Sequence, residues 1–362
     1  MHGQWVKNSP DNSKIFVLDI DDCGTFFEGH AYYFVDGCQP AWMPIRTSSN
    51  SGRESTSSLV FTLTPDGKKV ISGTEISQAY PDGSVPPALE LILNRSAKSL
   101  RIDYRNPLNQ KSGYIILRPG KSNSPGRSPI RSIKSWQSFK KYAISVERGR
   151  YIFRGQSVCN RLRTAFHRTR RKDLFNFITE DIPYIHRVLS AKTHHLFNLA
   201  DPAQNGAFWN LIQHHGYPTP LLDWTYSPFV ASYFAFKGAT AEVSKVRIFV
   251  FDKREWMRDF KQMQTVIHIP PHFSIFEALP INNERSIPQQ AISTVSNVDD
   301  IETYIKQCEK LRNKTYLQAI DLPSISRPEV LRELSLMGIT PGSLFPGFDG
   351  ICQEMRERYF EL

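Results

Sequence analysis

Between residues 213 and 225 the chain gathers groups that can bind anions and move protons. The run is Gln213-His214-His215-Gly216-Tyr217-Pro218-Thr219-Pro220-Leu221-Leu222-Asp223-Trp224-Thr225. A connector needs its glycine and prolines. It has no need of two imidazoles, a carboxylate, an indole and a hydroxyl together. Polar groups on a turn held by rigid flanks are the usual construction of a binding or catalytic site. One of the two imidazoles could hydrogen-bond a ligand or carry a proton near neutral pH. The pair makes a poor metal site, because adjacent helical side chains point apart, and a histidine at a helix C-terminus is also favoured by the dipole. No metal is expected. Far upstream, Arg154 stands beside Gly155 and Gln156. A guanidinium fork at a strand end suits a phosphate, and a flanking glycine permits close approach of a ligand. The structural alternative is a buried Arg154 paired with Asp223, clamping strand to turn. Asp223 then either takes part in chemistry or orients Arg154 or His214. Trp224 reads as core.

The elements that must hold these groups can be read around them. Phe208, Trp209, Leu211 and Ile212 give a helical face ending at Gly216, which suits a left-handed residue after a helix. Pro218 and Pro220 force extended backbone before them. Leu221–Trp224 reads as a short strand or its exit. Ser227-Pro228 starts a helix: the hydroxyl caps a free amide, and proline sits where no N–H is needed. Phe229, Val230, Tyr233 and Phe234 continue at helical spacing. Asp223, Trp224 and Thr225 thus occupy a strand-to-helix turn, where free amides and the positive helix end favour anions.

Phe153-Arg154-Gly155-Gln156, Gln213–Thr219, Leu221–Thr225, Ser227-Pro228, and Ala231 with Tyr233-Phe234-Ala235 together resemble the FRG domain family. Weaker likeness extends over Arg285–Thr294 and Gly338–Gly350, so that the resemblance covers about residues 133–362. Ala291 and Ser293 stand where the family usually has Gly and Phe. The layout is also similar to that of ADP-ribosyltransferases. It implies that Arg154, with Gly155 and Gln156, binds a nicotinamide dinucleotide, NAD, as co-substrate. Thr225 and Ser227 would lie on the Ser/Thr strand. Gln289 or Gln290 would stand where those enzymes carry a glutamate that stabilises the developing ribosyl cation. A glutamine cannot bear that charge, and the nearby carboxylates are Glu277, Glu284 and Asp223.

The composition sets the frame. The 362 residues suggest two domains or one large one. There is no run of 18 apolar residues and no leader, so no membrane partner is expected. Five scattered cysteines, Cys23, Cys38, Cys159, Cys308 and Cys352, suit a reducing cytoplasm. Net charge is +10. Residues 118–172 hold 16 Lys/Arg against one acid, Glu147, with Trp136, Phe139, Tyr142 and Tyr151 interleaved. The block could track nucleic acid, or be a solvated linker and helix face.

Along the chain, residues 1–120 read as a β-rich module, a small barrel or sandwich. Hairpin turns fall at Asp21–Gly24, Pro65–Gly67 and Asn106–Gly113. Trp5, Tyr32 and Trp42 read as its core. Residues 121–132 read as a linker. Residues 133–362 form the α+β domain. In it a helix is expected over Ile133–Val146 with Ile133, Trp136, Phe139 and Ile144 inward. Mainly helical chain follows over 160–215, with His194 and His195 on a solvated helix. Strands are expected at Val246–Phe251 and Tyr316–Ile320, irregular chain at Pro270–Asn283, and helices at Ile301–Lys314 and Pro328–Met337. The leading expectation is a cytoplasmic effector that transfers ADP-ribose from NAD to a protein or nucleic-acid acceptor, in a toxin or antiviral defence setting. The alternatives are a binding protein for nucleotide or nucleic acid, and a nuclease using His214 or His215 as base.

Overall fold

The computed structural model describes every residue except 10–12, 98, 119–125, 194, 241, 282 and 361–362. The start of the expected linker, 121–125, and His194 therefore lie outside the described residues.

The protein is α+β. Its first part holds β1 (Gly3–Asn8), β2 (Lys14–Asp22), β3 (Phe27–Val35), β4 (Ala41–Arg46), β5 (Arg53–Leu59), β6 (Phe61–Leu63), β7 (Val70–Ser72), the short helix α1 (Thr74–Ala79), β8 (Ala88–Arg95), β9 (Leu100–Arg105) and β10 (Ser112–Leu117). These strands build two antiparallel sheets, ordered β1-β2-β3-β4-β6-β7 and β10-β9-β8-β5. All three expected hairpins close, as β2–β3, β6–β7 and β9–β10. Side chains alternate across a strand. Leu18 and Ile20, Met43 and Ile45, Leu91 and Leu93, and Leu100 and Ile102 accordingly fill one core between the sheets. The edge strands of one sheet do not pair with those of the other, so the part is sandwich-like and not a closed barrel. Trp5 lies in that core. Tyr32 and Trp42 are buried elsewhere, in a separate cluster with Phe34. The Trp42 ring lies 3.9 Å from that of His268, so the first sheet rests on the C-terminal half.

That half contains α2 (Trp136–Ser145), β11 (Tyr151–Gln156), α3 (Ala165–Arg168), α4 (Leu174–Asn176), α5 (Ile182–Thr193), α6 (Pro202–His214), β12 (Leu221–Thr225), α7 (Pro228–Lys237), β13 (Lys245–Asp252), α8 (Lys253–Asp259), β14 (Phe273–Phe276), β15 (Ala291–Ser296), α9 (Ile301–Arg312), β16 (Leu317–Pro323), α10 (Arg327–Leu336), α11 (Pro341–Leu344) and α12 (Phe348–Phe360). One antiparallel sheet, β14-β15-β12-β11-β13-β16, runs through it. Both its faces are covered. On β13, Val246, Ile248 and Val250 pack with residues of α2, α7 and α10. Phe249 and Phe251 pack on the other face with Trp256 of α8 and Ile301 and Ile305 of α9. A strand buried on both faces reads as a near-continuous apolar run, as Val246–Phe251 does apart from Arg247, which is buried and paired with Asp321 at 2.7 Å.

Several expectations need correction. The stretch 270–283 is not wholly irregular, because Phe273–Phe276 forms the edge strand β14 against β15. The helix expected over 133–146 starts at Trp136, where Ser135 caps it. Its inward residues are Trp136, Phe139 and Ala143, while Ile144 is 77% exposed. His195 is not on a solvated helix: it follows α5, half-buried, with its ring 4.5 Å from Phe197.

Candidate functional site

β11 and β12 are neighbours in the sheet, yet Phe153–Thr225 is their only registered pair. Beyond it the strands part. Arg154 spans the gap: its Nη1 donates to the main-chain carbonyl of Asp223 at 2.6 Å, in place of a ladder hydrogen bond. A cavity of about 580 Å³ opens there. That volume lies within the range of small-molecule and cofactor pockets.

Arg154, Gly155, Gln156, His214, Asp223, Thr225 and Gln289 all line this cavity. They come from β11, the end of α6, β12, and the loop before β15. Ser227 does not line it. Its hydroxyl caps α7, accepting from Val230 N at 3.2 Å. Gly155 serves packing more than ligand approach: a Cβ there would sit 1.9 Å from Ala231 O and 2.8 Å from Ala235 N on α7. The Thr225 hydroxyl is engaged within the protein, donating to Gln289 O at 2.7 Å and accepting from Ser227 N at 3.0 Å. It fastens the β12–α7 turn to the loop entering β15. The Gln289 side-chain amide is also held, donating to Leu344 O at 2.9 Å. Gln290, its neighbour, is exposed and adopts a left-handed φ of 48°.

The electrostatics are one-sided. Arg154, Arg168 and Arg285 line the cavity, and none has a carboxylate ion-pair partner among the described residues. The Nε of Arg154 is shielded from solvent and makes no hydrogen bond. Burial lowers the Arg154 pKa, with Asp223 opposing the shift and Arg168 adding to it; a guanidinium nevertheless stays charged. The Arg285 guanidinium lies 5.1 Å from the Phe345 ring centre. Asp223 is the only carboxylate among the described lining residues. It is exposed, and its Oδ2 accepts from Gln213 Nε2 at 3.0 Å. Gln213 is itself fixed by the Thr219 hydroxyl. The expected Arg154–Asp223 clamp therefore exists only through the main-chain carbonyl, not as an ion pair. Burial first, then the charges of Arg285 and His215, hold the His214 imidazole below its ordinary range. His214 is thus neutral at pH 7 and able to accept a proton.

Glu277 and Glu284 do not line the cavity. Glu277 is tied to Lys253 Nζ at 2.6 Å. Trp224 is core: it is 3% exposed and its Nε1 donates to Thr294 Oγ1 at 3.0 Å. His215 is the exposed cap of α6. The third segment reaches the cavity through Arg285, Ala291 and Ser293, and Ser293 faces Asp223 in the β12–β15 ladder. The sequence reading gave no site role to Arg168, Phe345, Asn210 or Asn283, which line the cavity too.

The basic block is only partly a free surface among the described residues. Seven of its 16 cations are bound to acids elsewhere in the chain: Arg127 to Glu309, Lys140 to Glu333, Arg150 to Asp252, Arg161 to Asp300, Arg163 and Lys172 to Asp299, and Arg171 to Asp21 and Asp181. Among the described residues no helix is long and apolar enough to cross a membrane.

The chain carries an FRG domain, matched by that family's model over residues 149–244. The match is shorter than the resemblance read over 133–362. It begins just before β11 and ends just before β13, and so contains the parting of β11 from β12 but not Gln289. Comparison with curated proteins and with solved structures gives no match.

Proposed function

We propose that the cavity binds a nicotinamide dinucleotide and that the protein transfers its ADP-ribosyl group to a macromolecular acceptor. One observation carries this reading: among the described residues a single carboxylate, Asp223, lines a cavity with four guanidinium groups, of which only Arg161 has an ion-pair partner, Asp300, while Arg154, Arg168 and Arg285 have none. Such cations favour a ligand bearing several phosphate oxygens. Arg154 and Arg168 are assigned to the pyrophosphate. Asp223 is assigned to the ribose, where a negative charge would stabilise the cation that develops as the glycosidic bond breaks and nicotinamide leaves with its electron pair, the acceptor then bonding to the same ribose carbon. Neutral His214 would take the proton of the attacking acceptor. A toxin or antiviral defence effector is the setting implied by the resemblance.

A second reading, nucleotide binding without transfer, draws on Gln289. It is one of the two glutamines, with Gln290, that the resemblance puts where a glutamate is expected, and its amide is tied to Leu344 O. The internal pairing of the basic block weighs against a nucleic-acid track as the main role. Incubation with labelled NAD and a cell extract separates the readings. Transfer predicts label on a macromolecule, lost in Asp223→Asn, while NAD still binds that variant in calorimetry. Binding of NAD with no labelling by either protein would establish the second reading. No binding at all would remove both.

A further inference from the structure

We infer that Asp21 and His30 of the N-terminal sheets are positioning residues for the cavity: they anchor the segment Arg163–Asp173 so that it presents Arg168 to the ligand phosphates. The inference rests on the nucleotide reading above.

The segment is wedged between the two halves of the protein. Asp21, on β2, is 8% exposed. Its Oδ1 accepts from the main-chain N–H of Lys172 and from that of Asp173, the latter at 3.2 Å. Its Oδ2 faces Arg171 Nε at 3.4 Å. His30, on β3, meets the fully buried Asp173 carboxylate at 2.8 Å and lays its ring 4.3 Å from that of Phe175. Lys172, 3% exposed, reaches back from this anchor. Its ammonium donates to His167 O and to Thr169 O, and lies 3.7 Å from the Asp299 carboxylate. Arg163 donates to the same His167 O at 2.7 Å while its fork grips Asp299. Two cations, one of them buried, thus hold the carboxyl end of α3.

Arg168 is the last residue of α3. Its Nη1 donates to Arg163 O at 2.9 Å, which leaves the other guanidinium nitrogens for the cavity. At the other end Phe166 N donates to Thr219 O at 3.0 Å, beside the start of β12. A four-residue helix has little stability of its own. Its orientation is therefore set by these anchors, and one of them, Asp21, belongs to the opposite half of the chain. The path runs from Asp21 to the Lys172 main chain, through its ammonium to the α3 carbonyls, and so to Arg168.

The test is a double-mutant cycle in the full-length protein, read by calorimetric binding of ADP-ribose. Arg168→Ala and Asp21→Ala should each weaken binding about tenfold, the size of one lost charge-assisted hydrogen bond. If Asp21 acts through Arg168, the double variant binds no worse than Arg168→Ala alone. Asp21→Asn, which keeps the oxygen that accepts both amides, should recover most of the affinity. A purely stabilising Asp21 would give additive losses in the cycle, or a lowered melting temperature with affinity unchanged; either result overturns the inference. If Asp21→Ala does not fold, His30→Ala probes the same anchor, and unchanged affinity in it overturns the inference. Failure of the wild-type protein to bind ADP-ribose would instead overturn the nucleotide reading on which this one stands.

Discussion

Replacing Arg154 with alanine separates a ligand-binding arginine from a structural one. In a buried ion pair, loss of the guanidinium would strand a carboxylate and cost about 3–5 kcal/mol. The structure does not contain that pair. Arg154 reaches only the Asp223 carbonyl, at 2.6 Å, and the Asp223 carboxylate is exposed and bound by Gln213. The loss is then one hydrogen bond from a cation in a half-open site, about 1–2 kcal/mol. For a chain of this size, with an unfolding entropy of about 2 cal/mol/K per residue, that lowers the melting temperature by only about 1–3 °C. Binding should suffer more visibly. A bidentate charge-assisted contact to a phosphate is worth roughly a factor of 10–100 in Kd. Thermal melting and ADP-ribose calorimetry on the same preparation give both numbers. Asp223→Asn should not rescue the melt, because there is no stranded charge to relieve. A fall of about 4–7 °C (what 3–5 kcal/mol implies), reversed by Asp223→Asn, would show that Arg154 is a clamp after all. A near-normal melt with unchanged affinity would place it outside the site.

Two further outcomes follow from the geometry. Burial holds His167 at about 3, and His268 and His272 at about 4, against an ordinary 6.5. At these three sites the unfolded chain therefore binds more protons than the folded one below about pH 6.5, an effect that the raised carboxyls of Asp19 and Asp21 oppose. Stability should be complete above that pH and fall as pH drops from 6.5 toward 4; urea midpoints that stay level across that window would contradict the burial of these rings. Gly155→Ala should be far more damaging than Arg154→Ala: its Cβ meets the main chain of α7 at 1.9 Å, which a capped, core-packed helix cannot yield. We expect about 3 kcal/mol or more, seen as insolubility or a melt at least several degrees below that of Arg154→Ala, and a melt equal to wild type would refute the close crossing.

The sequence showed most plainly those elements whose pattern is local. The turns at Asp21–Gly24, Pro65–Gly67 and Asn106–Gly113 carry their own chemistry, and each closes a hairpin. Val246–Phe251 is apolar at every position but Arg247 because both faces of β13 are covered. What failed was set by packing. Phe273-Ser-Ile-Phe276 has no alternation, since all four residues are buried, and prolines on either side disguise it as loop. Ile144 looked inward by apolarity alone. Counting from Trp136, it lies eight residues on, whereas Phe139 and Ala143 fall at three and seven and share one face. Sandwich and barrel have the same local signals, and only the pairing of edge strands divides them.

The same division runs through the site. In Phe153-Arg154-Gly155 each residue meets a separate demand of the place where β11 leaves β12. Phe153 makes the last ladder pair and fills the core. Arg154 bridges the gap that opens next. Gly155 lets α7 cross close behind. Those demands are local to the backbone, which is why the triplet and the run ending at Thr225 stand out in sequence. Arg168, Arg285 and Phe345 bear no such mark. They arrive through α3, the loop before β15 and the end of α11, and a basic block hides Arg168 among cations that are mostly paired or solvated. The split between strands thus supplies the cavity with one arginine and one carboxylate. The charge that would decide what it holds comes from segments whose placement depends on the rest of the fold, the N-terminal sheets included.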